Sequence, residues 1–242
     1  MKKLILSFIL LIIPFLGQAQ EAKKIDSVAV SLLDRMSDVI GELESCAYNL
    51  KTATDKLNAD KNIVKYHGTS SVSMEGPDKL IVRAKGDRGD HGFWYNGEYL
   101  TYYSFSENTY VTLESSDNII DMTNTMHDTY DFKFPAIDFF SPTFTDDILE
   151  NFDTIQFLGM KTINGQDCFH VMITNENLNV QFWISNDIQT LPLQFAIIYK
   201  KENNRQFEGT FSNWQLNPDI PNRLFDFSPP PSAKLISILA KS

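Results

Sequence analysis

The stretch KGDRGDHGFWYNGEYLTYY, Lys85 to Tyr103, decides how this chain folds. Two aromatic runs, His91 to Tyr95 and Tyr99 to Phe105, meet at Asn96-Gly97. Asn-Gly favours the positive φ angles of a type I′ turn, whose twist suits two antiparallel strands. The stretch therefore predicts a hairpin. Its seven rings, Phe93, Trp94, Tyr95, Tyr99, Tyr102, Tyr103 and Phe105, alternate along the strands, so both faces carry aromatics. The charged half invites other readings. Arg88-Gly89-Asp90 is an adhesive tripeptide, and Asp87, Asp90 and His91 stand close enough to suggest a metal loop.

Period two continues on both sides of the hairpin. Strand-like runs occupy 46–57, 63–75, 79–85, 91–96, 98–105 and 109–114, and a second series fills 154–163, 167–174, 179–185, 192–201 and 206–216. Gly76-Pro77-Asp78 and Asn164-Gly165 mark further turns. Short connections imply antiparallel pairing, because parallel strands need long crossovers. Before the first series, residues 26–44 place Val28, Leu32, Met36, Val39, Ile40 and Leu43 on one face of a helix, with Asp26 or Ser27 able to cap it. Between the two series, Ile119, Met122, Met126 and Tyr130 have helical spacing, followed by short apolar segments at 134–142 and 145–152. After Pro229-Pro230-Pro231, the apolar run Leu235 to Leu239 reads as an edge strand or a short docking helix. The expected architecture is mainly β with helices (α+β): a strongly curved antiparallel sheet of about eleven strands. A flat open sheet of that size must curl, split or close. Curling gives an incomplete barrel, covered on its concave side by the N-terminal helix and the mid-chain helical segment.

The first residues, MKKLILSFILLIIPFLGQAQ, have the basic start, apolar middle and small-residue end of a cleaved secretory signal spanning residues 1–19. No cysteine follows the cut, so no lipid anchor is expected, and residues 20–242 are read as one exported, periplasmic domain. The formal charge is −10, and −12 once Lys2 and Lys3 leave with the signal. A surface that acidic argues against nucleic acid and against a basic membrane-docking patch. Cys46 and Cys168 are the two cysteines, and an exported compartment leaves both a disulfide and two buried thiols open.

Several segments occur together in a telling order. They are GDRGDHGFWYNGEYLTYY with Glu107 to Tyr110, INGQDCFHVMI (Ile163 to Ile173), and VQFWISND with LPLQFAIIYK (Val180 to Lys200). FSNWQLNPDIP (Phe211 to Pro221) and FDFSPP (Phe225 to Pro230) complete the set. From about Val28 to Leu239 the chain resembles a family of predicted periplasmic proteins, domain of unknown function 2092. That family is similar in turn to the LolA/LolB type of lipoprotein carriers and receptors. The resemblance implies a half-barrel lidded by helices, with a cavity that holds acyl chains. Those carriers use a buried arginine to hold the lid, and Arg83 lies in a nearby strand here.

The charged half of the opening stretch is best read as a turn, with Gly89 supplying the reversal. Four scattered histidines, His67, His91, His127 and His170, form no ligand pair, and no metal or cofactor is expected. There is no Gly-x-Ser-x-Gly elbow. Cys168 and His170 share one strand face, whereas a thiol–imidazole pair usually comes from separate elements. The aromatics remain. Leu50, Phe93, Tyr95, Leu100, Tyr102, Phe182, Ile184, Phe195 and Ile197 are expected to line the concave side, under a lid of Met122, Met126, Phe139 and Phe140. Plain core packing is the competing account of the same residues. The expected function is a non-enzymatic, monomeric binder of a lipid, acyl chain or other hydrophobic molecule, with a lipoprotein or membrane-bound protein as a further candidate partner. The alternative is a protein-interaction module whose concave face docks a peptide segment.

Overall fold

The structure, a computed structural model, describes residues 23–240. The signal peptide expected at residues 1–19 lies outside the described residues. The strands are β1 (Lys24–Ile25), β2 (Ser45–Leu57), β3 (Ile63–Glu75), β4 (Lys79–Gly86), β5 (His91–Tyr95), β6 (Tyr99–Ser104) and β7 (Thr109–Glu114), then β8 (Thr154–Ile163), β9 (Gln166–Thr174), β10 (Leu178–Ser185), β11 (Pro192–Tyr199), β12 (Arg205–Leu216) and β13 (Lys234–Leu235). Helix α1 (Ser27–Gly41) precedes β2, while α2 (Ile119–Tyr130), a 3-10 turn (Ile137–Phe140) and α3 (Phe144–Asn151) join β7 to β8.

All thirteen strands form one sheet, in the order β1-β8-β9-β10-β11-β12-β2-β3-β4-β5-β6-β7-β13. Two meanders, β2 to β7 and β8 to β12, are sewn together where β12 pairs with β2. The eleven longer strands are antiparallel to their neighbours throughout, and only the two-residue edge strands β1 and β13 pair in parallel. The outer strands β1 and β13 do not meet, so the barrel stays incomplete. Of the apolar run Leu235 to Leu239 only Leu235 joins the edge strand β13; Ile236 N–H still donates to the Tyr110 carbonyl at 2.8 Å, and Leu239 is exposed.

Turn chemistry worked differently at the two Asn-Gly sites. Asn164 (φ 52°) and Gly165 (φ 84°) are both left-handed, as a type I′ turn requires. At Asn96-Gly97 only Gly97 is left-handed (φ 96°). Asn96 instead uses its side-chain oxygen to accept from Glu98 N–H and Tyr99 N–H at 3.2 and 3.0 Å, and its amide donates to Asp226. The side chain closes the turn that positive φ was expected to close. The charged half is a turn as expected: residues 87–90 join β4 to β5, Gly89 has φ 94°, and Asp87 accepts from His67 N–H.

Helix α1 is capped by Asp26, whose carboxylate accepts from Val28 N–H at 2.9 Å. Its buried stripe is Ala29, Leu33, Met36 and Ile40; of the expected face Met36 and Ile40 are buried, Leu32, Val39 and Leu43 pack half-buried beside them, and Val28 is left 52% exposed. The helix lies against β8 and α3, and that contact sets its rotation.

Each sheet face carries a cover, the convex one over part of its extent. On the concave side one hydrophobic cluster joins α1, α2, the 3-10 turn and α3 to alternate residues of the sheet. On the convex side the C-terminal segment crosses β5, β6 and β7. There the Phe227 ring sits 4.9 Å from Trp94, 5.5 Å from Tyr103 and 5.4 Å from Tyr110.

The disulfide considered for Cys46 and Cys168 is not formed: both are free, buried thiols. Cys46 packs within the concave cluster on β2. Cys168 lies on β9 in register with Ser185 and alternates with Phe169 and Val171, which face the concave cluster, so it points to the other face. The two strands are separated by four inter-strand steps, roughly 19 Å along the sheet.

Candidate functional site

The candidate site is the concave interior, and cross-strand register assembles it. Leu50 opposes Phe211, Phe182 opposes both Phe195 and Val171, Phe93 opposes Tyr102, and Tyr95 opposes Leu100. Opposed residues share a face, so each pair commits its two strands to the same apolar surface. Leu50, Phe93, Tyr95, Leu100, Phe182, Ile184 and Phe195 are buried there, and Tyr102 and Ile197 pack against them half-buried.

The lid residues Met122, Met126, Phe139 and Phe140 belong to the same cluster. Phe139 is its keystone: its ring centroid lies 5.4 Å from Phe144, 5.7 Å from Phe182, 5.3 Å from Phe195 and 5.5 Å from Phe211. Phe140 stacks on Tyr48 at 6.1 Å. At the other end, Phe132 and Phe134 approach Phe93 at 5.2 and 4.9 Å. Side chains of α2, the 3-10 turn and the residues between them thus pack into the concavity.

Sequence reasoning missed Tyr48, Phe211 and Trp214 on the sheet, and Phe132 and Phe134 on the lid. Tyr48 and Phe211 were legible, since Tyr48 alternates with Leu50 and Phe211 continues the period of β12. Trp214 was not, because an irregularity displaces it. Ser212 pairs with Asn49 but Gln215 pairs with Ala47, so Asn213 and Trp214 together face Tyr48. Asn213 is left-handed (φ 57°), and Trp214 turns inward onto Tyr48 (4.6 Å) and Phe211 (5.3 Å). The bulge opens two clefts that share Asn213 and Trp214, of about 350 Å³ and about 490 Å³.

The interior holds its titratable groups neutral. Burial pushes the Cys46 thiol up to about 12 and raises the Tyr48 phenol above its ordinary range. Burial, aided by Asp78, Asp117 and Asp121, pushes the Tyr95 phenol up to about 12, and its hydroxyl donates to the Ser116 carbonyl at 2.5 Å. Such surroundings suit an apolar guest.

Other candidates are dispersed. Arg83 is exposed, and its guanidinium sits 5.6 Å from the centre of the Trp94 ring, so it does not hold the lid. Cys168 donates to the Lys161 carbonyl, while His170 bonds Gln181 at 2.9 Å and stacks on Trp183, so thiol and imidazole are engaged separately. His91 packs edge-on against Phe93. Among the described residues, no group of three or more His, Cys, Asp or Glu converges as a metal site would require.

A profile of the family described as predicted periplasmic protein, DUF2092, matches residues 29–239. The chain belongs to this family. No curated protein matches this DUF2092 chain. Among solved structures, an uncharacterized conserved protein from Thermus thermophilus is 9% identical over 86% of this chain and 98% of that one, with a TM-score of 0.51. The Mycobacterium tuberculosis lipoprotein LppX is 14% identical over 81% of this chain and 99% of that one, also at 0.51. Both share the fold. A LolA superfamily protein from Nitrosomonas europaea is matched at 13% identity over 82% of this chain and 97% of that one, at a TM-score of 0.40.

Proposed function

We propose that this protein is an exported, non-enzymatic binder of a lipid, acyl chain or similar hydrophobic molecule, held between the concave face and its lid. The observation that carries the reading is the make-up of the interface between them. The sheet offers a continuous apolar surface, and what covers it is α1 plus an insertion between β7 and β8, rather than a second sheet. The inserted lid touches the sheet through Met and Phe side chains, which repack around variable guests at little cost. Lifting that insertion exposes an apolar trough without breaking a strand pair, because α2, the 3-10 turn and α3 contribute nothing to the ladders.

A guest entering the trough replaces the lid's own side chains. Each buried CH₂ of an acyl chain contributes about 0.8 kcal/mol. The lid opposes this with the apolar contacts it gives up, at about 25 cal/mol per Å² of surface re-exposed. A long chain that keeps most of the lid contacts at its flanks therefore binds usefully without any charged contact. Family membership and the fold shared with LppX, a lipoprotein by its name, support the setting.

Native mass spectrometry of protein purified from its own periplasm tests the reading. A co-purifying lipid-sized mass, removable by organic extraction, is expected. A lipid-free mass together with failure to bind hydrophobic dyes overturns it, and a stoichiometric protein partner on the same face would favour a docking module instead.

A further inference from the structure

The two clefts at the β12 bulge open beside the packed interior and share Tyr48, Phe211 and Trp214 with it. The smaller one lies between the β8–β9 turn, the β10–β11 loop and the bulge itself. Its apolar wall is Leu193, Phe211 and Trp214, and its polar rim carries Asn164, Gln189 and Asn213. None of these three side-chain amides makes a hydrogen bond within the described residues. Each offers two donors and an acceptor, a set that matches hydroxyl groups, which both give and accept.

Charge narrows the ligand further. No lysine or arginine lines either cleft. The one carboxylate, Asp187, is already used: it accepts from the Ser185 hydroxyl at 2.9 Å, the Gln166 amide at 3.0 Å, and the N–H groups of Gln189 and Thr190 at 2.9 and 3.2 Å. An anionic head group finds no counter-charge here, and a cationic one would have to compete with the four donors that Asp187 already accepts from. What remains is a neutral, hydroxyl-rich ring with an apolar face to lay against Trp214 and Leu193. The volume suits a group of one or two such rings.

The cleft also borders the concave interior. Trp214 packs on Tyr48 at 4.6 Å, and Tyr48 stacks on Phe140 of the lid at 6.1 Å. A ring resting on Trp214 stands one aromatic side chain from the trough.

We infer that the cleft at the β12 bulge is a subsite for a neutral sugar-like head group, which makes the preferred guest a glycosylated amphiphile. The placement of its chain rests on the function proposed above; the head-group site does not. Methyl glycosides, which carry the ring without a chain, therefore test the cleft alone. Titrating methyl glucoside and methyl maltoside into the full-length mature protein should give saturable NMR shifts of the Asn164, Gln189 and Asn213 side-chain amides. Phosphocholine and glycerol phosphate should bind at least about ten-fold more weakly. Asn213→Gly keeps the left-handed backbone and removes the amide, and Gln189→Ala removes a second one. Each should weaken glycoside binding about five- to ten-fold, the worth of one neutral hydrogen bond, with an unchanged melting temperature. Absence of saturable shifts, equal binding of phosphocholine, or variants that bind as the parent does would each overturn the assignment. Lipid co-purification without glycoside binding sinks the cleft and spares the carrier; glycoside binding by a lipid-free protein does the reverse.

Discussion

Gly209 faces Phe195 across the β11–β12 ladder, and the Phe195 ring occupies the space a side chain would take. A Cβ at Gly209 would lie 2.2 Å from a ring carbon of Phe195. The ring cannot yield, since Phe139, Phe207 and Phe211 surround it at 5.3 to 5.8 Å. Gly209→Ala should therefore destabilise by about 1–3 kcal/mol, read as a lower urea midpoint at unchanged slope. The pH response also belongs to single residues. Cys46 and Tyr95 titrate ordinarily at 9.0 and 10.0, and burial pushes each up to about 12 in the fold. The unfolded chain releases these protons first, so the stability they confer is full below pH 9 and is lost as pH rises toward 12. Urea titrations across that range should show the fall, and Cys46→Ala should make it shallower. Neither thiol should react with Ellman's reagent until the protein unfolds.

Among the elements, Asp26 ties two together. One carboxylate oxygen caps α1 through Val28 N–H at 2.9 Å, and the other accepts from Phe157 N–H of β8 at 3.3 Å. Asp26→Ala removes a helix cap and a bond to β8 at once, so a loss of about 1–2 kcal/mol is expected by thermal unfolding, with Asp26→Asn recovering part of it. The C-terminal segment is an element in its own right. Through Phe227 it shields the convex aromatics that the hairpin's alternation puts outside, and its Phe225 is itself buried. Truncation after residue 224 should uncover Trp94 and Tyr103, red-shift tryptophan emission and promote self-association on sizing columns.

At the scale of the molecule, the proposed function makes the lid and its guest competitors for one apolar surface. Phe139→Ala makes this measurable: deleting a ring with four aromatic neighbours should cost the ligand-free protein about 3–5 kcal/mol. If the trough is the binding site, a bound acyl chain fills part of the vacated volume. The thermal shift produced by lipid should then be larger for Phe139→Ala than for the parent. An equal or smaller shift would place the ligand elsewhere.

Local chemistry made most of the architecture legible. Strict alternation located all eleven long strands, short turns forced them antiparallel, and the number of strands forced curvature. Alternation also put Phe93 and Tyr102 on one face and Trp94 and Tyr103 on the other, because side-chain direction in a strand depends only on its neighbours along the chain. What depended on distant partners was settled only by the tertiary structure. The rotation of α1 followed its contact with β8 and α3; Cys46 and Cys168 stayed apart because they occupy opposite faces; Arg83 met Trp94 rather than the lid. The clefts beside Trp214 needed an irregularity in β12 that no periodic pattern announces, since a bulge is by nature a break in the period. Even so, the opening stretch divided as its chemistry required: its charged half turns the chain, and its aromatic half builds both walls of the sheet.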